Sequence, residues 1–186
     1  MKSLLAIAVL SLATTVIADT GEGLPHALKA VSRLQGSWAG TAEGSPGKGV
    51  VTRRYEWVLQ GRYLRESNRS TYPPQEKNKT GETHEHLGMF SYDKARKVVM
   101  LRQFHQEGFV NTYKQSLEGS RPDLLQFDSE SFENFSNRWR ARETYEFLSD
   151  DEFIETFELA APDQAFQVYS RNHFKRVGGT QLDTGK

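Results

Sequence analysis

The chain contains no cysteine among its 186 residues. Disulfides, thiol catalysis and thiolate metal sites are therefore excluded. An excess of charge is also absent, because 24 lysines and arginines balance 24 aspartates and glutamates. A neutral chain has no long-range field to attract nucleic acid or an anionic membrane, so neither is a predicted partner. The Gly-x-Ser-x-Gly motif of serine hydrolases does not occur either, which favours a binding protein over an enzyme.

Long hydrophobic runs are scarce, and the main one opens the chain. Residues 1–18 read MKSLLAIAVLSLATTVIA and end in Val16, Ile17 and Ala18, a pattern that signal peptidase accepts. The run is shorter than the roughly 20 residues of a membrane-spanning helix, and a polar stretch follows it at once. We therefore predict a cleaved signal peptide and a periplasmic or secreted protein with no membrane anchor after cleavage.

The next segment predicts one short helix over 24–34, because Leu24, Leu28, Val31 and Leu34 recur at helical spacing. After it, the chain breaks at Gly, Pro, Asn and Asp into short segments rich in β-branched and aromatic residues, which is typical of antiparallel strands. The predicted strands are 36–44, 50–60, 62–72, 82–93, 97–106, 109–117, 124–132, 137–148, 152–160 and 165–177.

Ten successive strands with short turns favour an all-β fold, a single closed up-and-down antiparallel barrel with a short N-terminal helix. Barrels of this strand number are wide enough to hold a small ligand. The predicted organisation is a signal peptide, a short helix with its lead-in, a lipocalin-like β-barrel and a flexible tail, over 1–18, 19–35, 36–177 and 178–186.

Alternation within the strands separates an aromatic face from a charged one. In RRYEWVLQ, Tyr55 and Trp57 share a face with Arg53, and Arg54 and Glu56 share the other. If the aromatic face lines the interior, Tyr55 and Trp57 are candidate ligand contacts. An interior polar cluster that meets a ligand headgroup is the alternative, since binding cavities place a few polar groups in a mainly apolar wall.

Three stretches carry a resemblance to a known family: LQGSWAG at 34–40, YEWVLQGRYL at 55–64 and HEHLG at 84–88. They resemble the small lipocalin-like (calycin) barrels that include nitrobindin, a haem-binding family, and related bacterial families of unknown function. The resemblance implies haem as a cofactor, held by a histidine of the last strand. The matching residue in this sequence is His173. The cations Arg171 and Lys175 on the same face would meet the haem propionates, unless this face is the outer one. Trp38 in the first stretch is predicted to plug one end of the barrel.

Three of the five histidines lie close together in THEHLGMFSYDKARKVVMLRQFHQEG, at 83–108. A turn centred on Lys94 and Ala95 would place His84 opposite His105, with His86 on the same face. Three imidazoles in one patch suit a tetrahedral zinc site with an open position. If this face looks outward instead, the cavity wall is formed by Leu87, Met89, Met100 and Phe104.

The sequence therefore predicts an exported barrel, monomeric or weakly dimeric, that holds a small and largely apolar molecule in its cavity without chemistry of its own. His84, His86, His105, Tyr55, Trp57 and Arg171 are the candidate ligand contacts. A nitrobindin-like haem protein with His173 as iron ligand and an enzyme with a histidine-bound metal are the two alternatives.

Overall fold

The structure is a computed structural model that describes residues 26–76 and 78–178. One helix, α1 (His26–Ser32), precedes ten strands. The strands are β1 (Gly36–Gly44), β2 (Gly47–Val58), β3 (Tyr63–Tyr72), β4 (Glu82–Asp93), β5 (Val98–His105), β6 (Val110–Gln115), β7 (Leu124–Glu133), β8 (Arg140–Ser149), β9 (Glu152–Ala160) and β10 (Gln167–Arg176).

The ten strands form one closed antiparallel barrel in which each strand pairs with its neighbours in the chain and β1 also pairs with β10. Closure removes the free strand edges that would otherwise pair with other chains. The closing pair depends on Gly40, which lies opposite Phe174, because a Cβ atom there would overlap the carbonyl oxygen of His173. The predicted fold class is confirmed.

The signal peptide predicted over 1–18 lies outside the described residues, as does nearly all of the tail predicted over 178–186. The predicted helix begins outside them too, and its described part ends at Ser32. Within the described part of the chain, no helix is long and apolar enough to span a membrane.

The end of the barrel nearest α1 is filled by apolar side chains. Trp38 is 1% exposed and meets the Phe153 ring edge-on at 4.7 Å between centroids. Its indole N–H donates to the Leu34 carbonyl oxygen at 2.7 Å, and the Arg176 guanidinium lies 4.1 Å from its ring centre. Trp38 therefore ties the segment after α1 to the first and last strands and plugs this end, as the sequence predicted.

The register between β4 and β5 differs from the prediction by two residues. His86, not His84, lies opposite His105. The reason is a four-residue connection over 94–97: the Asp93 carboxylate accepts hydrogen bonds from two turn amides, and Lys97 has a φ of 57°. Because side chains alternate with a period of two, a shift of two residues leaves every side chain on the same face.

Candidate functional site

The half of the barrel away from Trp38 encloses a cavity of about 520 Å³. This volume falls within the range of roughly 300–1,000 Å³ that small-molecule sites occupy. Aromatic side chains surround its mouth: Tyr72, Phe109, Phe132, Phe135, Trp139, Phe157 and Tyr169. Polar side chains form its floor and lower wall: Arg53, Asn68, Ser70, His84, His86, Gln103, His105, Asn111, Glu143, Glu155 and Asn172.

Arg53 is the central charge of the floor and is 4% exposed. Its Nε lies 3.0 Å from Glu66 Oε1, and its Nη2 lies 3.0 Å from Glu155 Oε2. The Tyr55 hydroxyl accepts a further hydrogen bond from Nη1 at 3.2 Å. One buried guanidinium thus pairs with two buried carboxylates. Such an arrangement is stable only while each of these charged groups keeps its partners.

The pKa values of these buried groups follow from their partners. Burial by itself raises the pKa of the Glu66 carboxyl, but adjacent Arg53 and His86 outweigh it and hold that pKa below its usual range. For Arg53, burial favours the neutral form, yet attraction to Glu155 and Glu66 raises its pKa well above the usual value. Both groups are therefore charged at neutral pH.

The pKa of Glu143 is shifted in the opposite direction to that of Glu66. Burial, together with repulsion from Glu155 and Glu66, raises the pKa of the Glu143 carboxyl to about 8. Its Oε2 accepts hydrogen bonds from the Tyr145 hydroxyl at 2.7 Å and from Gln103 Nε2 at 3.2 Å. Glu143 is therefore a neutral carboxylic acid at pH 7.

The Glu143→Gln variant is expected to change how stability depends on pH. A group whose pKa is raised by folding stabilises the protein fully below its unfolded pKa, and that stabilisation is lost as pH rises toward the folded value. From about pH 4.5 to 8, wild type should lose stability relative to Glu143→Gln by up to about 1.4 kcal/mol per pH unit. Urea unfolding at a series of pH values measures this, with Glu146→Gln, whose side chain is 40% exposed, as the control. Parallel profiles for wild type and Glu143→Gln would contradict the assignment.

His84, His86 and His105 converge on one side of the cavity. Their ring centroids form a triangle with sides of 5.7, 5.4 and 5.2 Å. His84 Nε2 lies 3.3 Å from His105 Nδ1. One ring nitrogen from each of the three histidines lies within 4.8 Å of the other two, which is close enough for the three to hold one metal ion.

The second nitrogen of each ring has its own partner. Glu107 Oε1 lies 2.9 Å from His84 Nδ1, and Glu66 Oε1 lies 3.1 Å from His86 Nε2. The Asn111 amide lies 3.2 Å from His105 Nε2. These contacts orient the rings, leaving His84 Nε2 and His105 Nδ1 against each other and His86 Nδ1 without a partner among the described residues.

Local features of the chain explain this placement. Gly88 pairs with Glu66 across β3 and β4, and a Cβ atom at Gly88 would overlap the Glu66 carboxylate. The His105 ring stacks on Phe109 with centroids 4.2 Å apart. Burial, and then the proximity of His86 and His84, lower the pKa of His105 to about 3, so this imidazole is neutral at pH 7.

The structure places some of the residues that the sequence singled out in the cavity and others outside it. His84, His86 and His105 line the cavity, and Tyr55 lies beneath its floor. Trp57 is half-buried against the core, whereas Arg171 is exposed on the outer surface of β10. His173 also faces outward, with its side chain 43% exposed and its Nε2 2.6 Å from Glu152 Oε1. It therefore cannot bind the iron of a haem held inside the barrel.

Sequence reasoning missed the carboxylates of the site. Glu66 lies in RESNRSTY, where polar residues occupy both faces, so alternation carries no signal. Glu143 and Glu155 differ in this respect, because each lies on the aromatic face of its strand, between Ala141 and Tyr145 and between Phe153 and Phe157, and alternation alone could have marked both. Arg53 gave the same signal, because it shares its face with Tyr55 and Trp57.

No family model and no curated protein matches this chain. Among solved structures, Rv2717c from M. tuberculosis is similar, with 18% identity and a TM-score of 0.58 over 83% of this chain and 99% of that one. A redesigned β-barrel has 13% identity and a TM-score of 0.42 over 80% and 96% of the two chains. At such identities the likeness shows the fold alone. The chain is a ten-strand antiparallel barrel, and the resemblances to lipocalin-like barrels and to nitrobindin stay predictions.

Proposed function

We propose that the barrel binds one small molecule, with a flat apolar body between the aromatic side chains of the mouth and a polar end on the floor. Two amide oxygens of the cavity carry this proposal, because neither has a hydrogen-bond partner among the described residues: Gln103 Oε1 and Asn172 Oδ1. A buried acceptor without a donor costs about 1–3 kcal/mol. Hydrogen-bond donors of a bound ligand would satisfy these oxygens, as would water molecules when no ligand is bound.

The charges of the floor define the polar end of the ligand more closely. Glu66 and Glu155 are two carboxylates against the single cation Arg53, and Glu143 is neutral at pH 7. This excess of negative charge favours a neutral or cationic group with N–H or O–H donors over an anion. The sequence predicted a largely apolar ligand, and the polar floor adds a donor-bearing end to it.

The aromatic mouth suits a planar body. Phe157 and Tyr169 meet edge-to-face at 5.8 Å between centroids, and Phe135 and Trp139 do so at 6.1 Å. Aromatic walls of this kind give apolar rings a large contact area at low entropic cost. The combination of such walls with a few polar groups is typical of small-molecule cavities.

The neutral aromatic amine 1-N-phenylnaphthylamine tests this proposal, because it joins a flat apolar body to one N–H donor and fluoresces in apolar surroundings. We expect one binding site per chain and emission shifted to the blue. Phe157→Ala should weaken binding about 3- to 10-fold, since an aromatic contact contributes about 0.5–1.5 kcal/mol. Fluorescence titration gives the affinities.

Phe104→Ala is the matched control, because Phe104 is 49% exposed on the outer surface of the barrel. Its affinity should equal that of wild type. Equal loss in both variants would place the dye on the outer surface and contradict a cavity site. A Soret band after haem addition would instead favour the haem-binding alternative with an iron ligand other than His173.

A further inference from the structure

The three cavity histidines have the geometry of a metal site. Zinc–nitrogen bonds of about 2.0–2.1 Å at tetrahedral angles place two ligand nitrogens about 3.3–3.4 Å apart. His84 Nε2 and His105 Nδ1 are 3.3 Å apart. A ligand nitrogen of His86 lies within 4.8 Å of one from each of the other two, so the His86 ring has to move toward them to complete the site. We propose that His84, His86 and His105 bind one divalent transition metal ion, with zinc as the reference ion, and leave its fourth position open to the cavity.

The free nitrogens identify the ligand atoms. His86 Nδ1 is buried and has no partner among the described residues, while its Nε2 is engaged by Glu66. His84 Nδ1 is engaged by Glu107, which leaves its Nε2 for the metal. His105 Nε2 lies against Asn111, which leaves its Nδ1. The ligand set is therefore Nε2 of His84 with Nδ1 of His86 and of His105.

The partners behind the ligands match those of protein metal sites. A metal-bound histidine donates its other N–H to a carboxylate, a carbonyl or water, and this bond fixes the ring and strengthens it as a ligand. Glu66 and Glu107 are such carboxylates. Asn111 serves the same purpose once its amide turns by half a rotation, because Oδ1 has no partner among the described residues and then accepts from His105 Nε2–H.

The charge around the site also favours a cation. Glu66 is buried between Arg53 and His86, and Glu107 lies beside the outermost of the three rings. A divalent ion would balance these carboxylates where Arg53 alone does not. Three protein ligands with an open fourth position are the pattern of zinc sites that accept water or a further ligand. This metal site does not rest on the proposed function, because the aromatic mouth binds its ligand with or without the ion.

Zinc binding to protein stripped with EDTA and then freed of chelator tests the proposal. We expect one zinc ion per chain, measured by competition with a chromophoric chelator, and intense visible d–d bands when cobalt replaces zinc. His84→Ala, His86→Ala and His105→Ala should each weaken zinc binding at least 100-fold. The matched control is His173→Ala, which removes an exposed histidine that also has a carboxylate partner and should bind zinc as wild type does.

Glu107→Gln keeps the test decisive if a histidine variant fails to fold, because the Glu107 side chain is 46% exposed. It should weaken zinc binding about 10- to 100-fold. Its control, Glu152→Gln at the partner of His173, should have no effect. Uptake below one zinc per chain, or equal losses in the control and site variants, would overturn the metal site. Titration of 1-N-phenylnaphthylamine in EDTA reports separately whether the cavity itself binds a ligand.

Discussion

Replacing Arg53 with methionine is expected to lower the free energy of unfolding by about 3–5 kcal/mol, because it leaves buried carboxylates without their cation. Arg53 is 4% exposed, and its partners Glu66 and Glu155 are 0% and 3% exposed. Chemical denaturation at pH 7 measures the loss.

Two further variants separate charge from packing. Arg65→Met removes an exposed arginine that pairs with Glu56, and this change should alter stability by at most about 1 kcal/mol. Adding Glu66→Gln and Glu155→Gln to Arg53→Met should restore most of the lost stability, since no unpaired charge remains. An Arg53→Met variant as stable as wild type would show that the two carboxylates are not held as buried ions.

The pH dependence of this effect has a defined sign. In wild type, the pKa of Glu66 is lowered, so its stabilisation is present above the unfolded pKa and is lost as pH falls. Without Arg53, burial is expected to raise the same pKa, so that the variant gains stability as pH falls. The difference between wild type and Arg53→Met should therefore shrink between pH 7 and about pH 4.

Replacing Trp38 with alanine is expected to cost about 3–5 kcal/mol of unfolding free energy. The indole is 1% exposed, packs edge-on against Phe153 and donates a hydrogen bond to the Leu34 carbonyl. Its removal opens a void at the plugged end of the barrel and leaves that carbonyl without its donor. The shift of the urea midpoint measures this loss, provided that the slope of unfolding free energy against urea concentration is unchanged.

Trp139→Ala is the matched control, because Trp139 is half-buried at the open mouth, where water can replace the side chain. It should cost less than about 2 kcal/mol, in proportion to the smaller apolar area that it buries. The loss of unfolding free energy in Trp38→Phe should lie between the losses in these two alanine variants, since phenylalanine keeps most of the packing but lacks the N–H donor. An unchanged midpoint for Trp38→Ala would mean that this residue is peripheral to the barrel.

The strand boundaries followed closely from local sequence. β1, β4 and β9 begin and end at the predicted residues, and the other strands differ by at most a few residues at either end. Turn residues and β-branched or aromatic segments act over short distances in the chain, so the backbone preference is readable from the sequence. The β4–β5 register was predicted wrongly because the length of its connection depends on the Asp93 carboxylate and on the backbone of Lys97.

The sequence by itself determined the order of strands, the plug at Trp38 and the shared face of His84, His86 and His105, because each of these depends on alternation and turn spacing. Only the tertiary structure decided that this face looks inward and that His173 looks outward. Both faces of β3, β4 and β10 carry polar residues, so hydrophobic patterning does not say which one is buried. The structure also brings Glu66 of β3 to the same floor as Glu143 and Glu155 of the distant, neighbouring strands β8 and β9. Closure of the barrel sets such contacts, and no local pattern encodes them.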